Sequence, residues 1–263
     1  MPKSSKKFSK AATTCRFCKR AGVEFVDAHI IPRSFFQAVR GKGKYSIGML
    51  AKHASLTTPY YQAGVADPSI LCKECEPKFT AWDTYGFEIL SVPRSEADAI
   101  RADDGAPMAI PIDDLNYDLF VLFILSVLWR ASVSTAEFFE HVDLGPYEER
   151  IRELLWNEIA PQPSDYAVML GTCLDQRFPN VILQPDKCRP DGIHLNRLFF
   201  PNVYAHVKTD QREAKPLMKC AMLQRRKTNY LFCYPYDRSP YSPFFRGLKK
   251  RILEIQRGQE RNS

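Results

Sequence analysis

The sequence predicts an α+β protein: a small cysteine-bearing N-terminal unit, then helices, then a mostly antiparallel, β-rich C-terminal region. Three observations carry this. Four of the eight cysteines fall into two Cys-x-x-Cys pairs, Cys15 with Cys18 and Cys72 with Cys75. The run "LNYDLFVLFILSVLWRASVS", residues 115–134, is apolar nearly all round a helix, as only a central, buried helix is. Beyond Pro163 the chain turns to short runs rich in Val, Ile, Tyr and Phe between Pro, Asn and Asp, which read as strands and turns.

In chain order, residues 1–12 read as a disordered basic tail of Ser and Lys. Residues 13–36 read as a knuckle followed by a hairpin, since "VEFVDAHII" is β-branched and weakly alternating. Residues 37–66 hold four glycines and no clean period, and read as an insert carrying Arg40, Lys42, Lys44 and Lys52. The second knuckle opens residues 70–90. From Pro77 onward, Phe79, Trp82 and Tyr85 recur at helical spacing, and Pro77 suits a first helical turn. Residues 92–114 read as a turn-rich bridge to the central helix. "GPYEERIRELLWNEIAP" is a shorter amphipathic helix with Ile151, Leu154, Leu155 and Ile159 on one face, ended by Pro161. Strands are expected in "DYAVMLGTCL", "NVILQP", "NVYAHVKTD" and "TNYLFCYPYD", and a basic amphipathic helix, "SPFFRGLKKRILEIQRG", follows them. The organisation so read is a tail (1–12), a cysteine-bearing domain (13–95), a helical region (96–160) and an α+β domain (161–263).

The formal charge of +7 is unevenly spread: residues 1–60 carry a net +10, residues 61–160 a net −12 and residues 161–263 a net +9. Basic ends fit a polyanion binder, because phosphate contacts release counterions; an uneven solvated surface is the plainer alternative. The N-terminus has lysines but no apolar core behind it, so no secretory signal is expected. The most apolar run, Leu119 to Trp129, falls short of the roughly 20 residues a membrane-spanning helix needs. A cytoplasmic protein without membrane association is expected, with cysteines used as metal ligands or free thiols rather than disulfides. There is no P-loop, GxGxxG or GxSxG motif.

Each Cys-x-x-Cys pair can form a tight knuckle whose two thiolates face one ion, and two knuckles complete the tetrahedral four-sulfur shell of structural zinc. The alternative is four free thiols. Cys173, Cys188, Cys220 and Cys233 lack pair spacing and read as small buried hydrophobes.

His29 lies eleven residues after Cys18, in "VDAHIIPRSFF". Over residues 15–36 and 67–90 the sequence resembles the HNH, or ββα-metal, endonucleases, in particular their four-cysteine zinc branch of the endonuclease VII type. The resemblance implies a zinc-stapled ββα-metal domain. His29 takes the general base's place, and Ile30, Ile31 and Pro32 match the run after it. Asp67 stands where the family has an Asn, and Glu76, directly after Cys75, stands where it has a His or Asn beside the catalytic Mg²⁺ or Mn²⁺. Ala28 departs from the acidic metal ligand expected before the histidine, although Asp27 is one residue away. Asp83, seven residues after Glu76, would share its helical face, so the two carboxylates could meet one ion and compensate for Ala28.

The chemistry is coherent in its own right. Phosphodiester hydrolysis needs a base for water and a hard cation for the phosphate, and imidazole and carboxylate oxygens suit those roles. Arg33, Arg40, Lys42, Lys44 and Lys78 are the expected nucleic-acid contacts, with DNA ahead of RNA. Chains pairing a nuclease piece with an extra half resemble effectors of bacterial defence against phage. The acidic middle or the C-terminal region would dock a protein partner. The alternative is a catalytically inactive, zinc-binding adaptor for nucleic acid or protein. In that reading His29 is a core histidine, Glu76 serves a helix N-terminus and Asp83 sits in a salt bridge. His194 and His206, in the strand-rich half, read as structural.

Overall fold

The computed structural model describes residues 13–39, 49–50, 64–174 and 182–234. In chain order these form β1 (Ala28–His29), α1 (Arg33–Val39), β2 (Met49–Leu50), β3 (Ala66–Asp67), α2 (Thr80–Ser91), β4 (Ile100–Arg101) and β5 (Pro107–Asp113). There follow α3 (Tyr117–Val133), α4 (Tyr147–Trp156), β6 (Val168–Thr172), β7 (Ile182–Leu183), β8 (Asp186–Cys188), β9 (Leu195–Phe200), β10 (Val203–Lys208), α5 (Pro216–Ala221) and β11 (Thr228–Cys233). The chain is mixed α+β, and no helix of the described residues is long and apolar enough to cross a membrane.

The main sheet has the order β4-β5-β11-β6-β10-β9-β8 and is antiparallel except between β11 and β6. Its left end corrects the sequence reading. Residues 92–114, expected as a turn-rich bridge, contribute β4 and β5, so residues 96–160 are not simply helical. Pro107, Pro111 and Gly105 gave that stretch the texture of a turn. The structure tolerates Pro111 because β4 begins opposite Ala109 and runs toward Pro107, leaving the Pro111 part of β5 without a neighbouring strand on one side.

Centre stage belongs to α3. Asn116 caps it by accepting from the Leu119 amide (3.2 Å), and the hydroxyl of Tyr85 on α2 accepts from the Asn116 amide (2.7 Å). Phe120, Val121, Phe123, Ile124, Leu125, Val127 and Leu128 are wholly buried. At roughly 1.5–3 kcal/mol for each such side chain, α3 is the largest single contributor to the core among the described residues. Phe123 packs against both Phe35 and Phe200, with ring centroids 6.0 and 5.6 Å away. Gly86 lets α2 approach, because a Cβ there would collide with the Phe123 ring.

The expected boundaries near residues 95 and 160 do not divide the core. One apolar cluster runs from Cys15 and Phe17 through α3 to Leu198, Phe200 and Leu231. On the other face of the sheet, Ala167, Met169, Leu195 and Met222 form a smaller cluster against α5. The residues expected to form a basic C-terminal helix, and those expected as a tail, 1–12, lie outside the described residues.

Candidate functional site

The two knuckles are local turns sewn side by side. In the first, the Lys19 amide donates to the Cys15 carbonyl and the Cys15 amide to the Arg20 carbonyl, both at 2.9 Å, with Lys19 in the left-handed region (φ 62°). In the second, the amides of Cys75 and Glu76 donate to the Cys72 carbonyl at 2.9 and 3.1 Å. Backbone bonds from Arg16 to Ile70, Val26 to Leu71 and Lys73 to Glu24 then join them. The result brings the four sulfurs within 4.8 Å of one another, with Cys18 and Cys72 at 3.9 Å. A tetrahedral ion with metal–sulfur bonds of about 2.3 Å needs sulfur separations of about 3.8 Å, so a single metal ion fits among them. All four thiols are free of disulfides.

Electrostatics agree with that capacity. Burial pushes the Cys15 and Cys75 thiols up, with neighbouring sulfurs adding to the rise at Cys75. At Cys18 burial is outweighed by Arg20, whose Nε donates to Sγ at 3.4 Å, bringing the thiol down to about 6. Four crowded sulfurs resist ionising together until a cation joins them.

His29 ends β1, which pairs antiparallel with β3 in the register Ala28↔Asp67 and His29↔Ala66. The hairpin expected within residues 13–36 is therefore closed from beyond the insert, after which the chain reaches the second knuckle. The expected helix from Pro77 is split: Glu76–Phe79 is a 3-10 turn and α2 starts at Thr80. Phe79 and Trp82 are core, as the sequence allowed.

A buried cation organises the ground beneath His29. Arg130 on α3 is 1% exposed and forms a bidentate pair with Asp83 on α2, at 2.9 and 2.5 Å. Its Nη1 also donates to the His29 carbonyl at 2.8 Å. Asp83, expected as a second metal ligand beside Glu76, thus has both oxygens engaged by a guanidinium, which neutralises the charge a metal would seek. Glu76 differs: its Oε2 is buried with no hydrogen-bond partner among the described residues. Burial pushes this carboxyl up, opposed by Arg130 and reinforced by Asp83. His29 in turn acts electrostatically on Asp83. His29, Glu76, Asp83 and Arg130 therefore form one cluster, which Asp27, exposed, does not join.

Asp67 is structural. It is 2% exposed and accepts from the Ser69 amide and hydroxyl, the Ser134 hydroxyl, and the Thr135 amide and hydroxyl. Of the expected nucleic-acid contacts, Arg33 and Lys78 are exposed, and the Lys78 ammonium lies 5.1 Å over the Trp156 ring. Arg40, Lys42 and Lys44 lie outside the described residues. His206 is half-buried in β10, and burial, with Arg197 adding, brings it down to about 4. A cleft of about 1140 Å³ between α4 and residues 208–213 shares no lining residue with the His29 cluster.

No protein-family model, curated protein or solved structure matches this chain.

Sequence reasoning missed Arg130, which directly follows the apolar run Leu119 to Trp129. The signal was present: an arginine one turn after Ser126, inside a helix buried all round, must find a partner.

Proposed function

We propose that the chain is a zinc-stapled, metal-dependent endonuclease of the HNH type, hydrolysing phosphodiester bonds in nucleic acid, DNA ahead of RNA. The observation that carries this reading is the unpartnered, buried oxygen of Glu76 in one cluster with His29. Leaving a buried carboxylate oxygen unsatisfied costs on the order of 1–3 kcal/mol or more, a cost that a bound cation would remove. Arg130 pairs with Asp83, so Glu76 is the carboxyl of the cluster with an oxygen left to offer, and it fits a hard divalent ion such as Mg²⁺ or Mn²⁺. That ion would supply charge neutralisation at the phosphate. His29 would accept the proton of the attacking water, its strand end held by Arg130. The four-sulfur site is closed and oxygen-free, which suits zinc in a structural role and excludes Mg²⁺.

A specific observation favours a second reading. Ala28 is wholly buried at the position where the resembled family carries an acidic ligand, and Asp83 is already paired. Those facts support a zinc-binding adaptor without catalysis. Incubating the purified chain with plasmid DNA or RNA and Mg²⁺ or Mn²⁺ decides between them. The nuclease reading expects cleavage that His29→Ala abolishes at unchanged zinc content. Cleavage surviving His29→Ala removes His29 from its role, and no cleavage with either metal favours the adaptor.

A further inference from the structure

We infer that Arg130 is the positioning residue of the His29 site: it clamps the strand end bearing His29 and the helix bearing Asp83 onto α3, and it contacts no substrate itself. A guanidinium has five N–H donors, and all five are spent inside the protein. Nε donates to the Ser126 carbonyl (3.3 Å). Nη1 donates to the His29 carbonyl (2.8 Å) and Asp83 Oδ2 (2.9 Å). Nη2 donates to Asp83 Oδ1 (2.5 Å) and the Ser126 hydroxyl (3.2 Å). The Phe79 ring covers the cation, its centroid 5.1 Å away. No donor is left for a phosphate, so charge on a substrate has to be met by Glu76-bound metal and by exposed cations.

Three elements meet at this one group. β1 is only two residues long and has few ladder bonds of its own to fix His29. The 3-10 turn bearing Glu76 runs into α2, which Asp83 anchors. Arg130 therefore sets the separation between the imidazole on one element and the free carboxylate oxygen on another. Lysine cannot replace it, because a single ammonium cannot fork to Asp83 while reaching the His29 carbonyl.

The inference rests on the nuclease reading for its kinetic and Mn²⁺ readouts, so the test includes one, the His29 signal before Mn²⁺ is added, that depends on neither. The imidazole signals of His29 are assigned by NMR with His29→Ala, and their broadening by Mn²⁺ is titrated. Two variants are compared with the parent: Arg130→Lys, and the uncharged pair Arg130→Met with Asp83→Leu. Zinc content and a cooperative melt establish folding. In a folded variant the His29 signal should split or broaden before metal is added, and half-broadening should need about tenfold more Mn²⁺. The value of kcat for plasmid cleavage should fall about 100-fold, with KM within about threefold, as for a misplacement of about 1 Å. A folded variant with a single sharp His29 signal and unchanged Mn²⁺ response overturns the inference. So does failure of both variants to keep zinc and a cooperative melt, since the role is then one of folding alone. If the parent cleaves nothing, the nuclease reading fails, and the His29 signal still decides the role of Arg130.

Discussion

Phe17, inside the first knuckle, packs edge-on against Trp156 at the end of α4, with ring centroids 5.4 Å apart. The same helix reaches back twice more, through Arg152 to the Phe17 carbonyl (2.9 Å) and through Glu149 to Lys19 (3.0 Å). The knuckle is thus held from outside by a helix far along the chain. A piece ending near residue 95 would lose this clamp and would leave Asp83 without Arg130. Such a piece is expected to show no cooperative melt even with zinc, whereas the full chain melts cooperatively. Circular dichroism with and without the metal checks this. In the full chain, Trp156→Ala is expected to lower stability by about 1–2 kcal/mol, less than a fully buried tryptophan, because the residue is 40% exposed.

Metal removal should act on the fold before it acts on chemistry. Elemental analysis is expected to find one zinc per chain, and Cys72→Ser to lose it. The cysteines draw their capacity from two knuckles joined by backbone bonds, so a strong chelator should loosen the whole N-terminal unit and lower Tm by well over 10 °C. A chain that melts identically with and without chelator would exclude a folding role for the cluster.

Glu76→Gln separates stability from activity. The substitution removes the carboxylate charge at a buried, unpartnered position, so the zinc-loaded chain without Mg²⁺ or Mn²⁺ should be unchanged or more stable by about 1 kcal/mol, while cleavage falls at least 100-fold. The pH dependence has a definite sign. Burial raises the folded carboxyl above its unfolded value, so the native state holds the proton more tightly, and stability contributed by Glu76 is lost as pH rises through that interval. Urea titrations of the zinc-loaded chain without Mg²⁺ or Mn²⁺ and of the variant across the acid range should converge at low pH.

Asp67 has the opposite sign. Burial opposes its ionisation, but the hydroxyls and amides of Ser69, Ser134 and Thr135 overcome it and hold the carboxyl below the ordinary range. Its stability is present above the unfolded value and is lost as pH falls through the folded one. Asp67→Ala strands two backbone amides and should cost about 2–4 kcal/mol, read from the shift in urea midpoint.

His206 adds a second acid-sensitive element. It is neutral in the fold down to about 4, so the unfolded chain binds the extra proton between the ordinary histidine value and that point. Stability should drop across that window, and the drop should vanish in His206→Gln. NMR titration showing an ordinary histidine midpoint at this position would contradict the burial argument.

Much of the protein was legible in its residues. Spacing alone placed Cys15, Cys18, Cys72 and Cys75 together, because a Cys-x-x-Cys turn is local and the number of thiols suits one ion. Periodicity placed α3 and α4, and β-branched runs placed β6, β10 and β11, since amphipathic period and propensity are properties of neighbours in sequence. What the chain could not disclose by itself was partnership across distance. That β11 would insert between β5 and β6, that Asp67 would gather donors from Ser134 and Thr135, and that Asp83 would give both oxygens to Arg130 rather than share an ion with Glu76 all depend on which elements pack together. A buried charge announces that it needs a partner; only the three-dimensional arrangement, where desolvation makes every unmet donor costly, decides which one it takes.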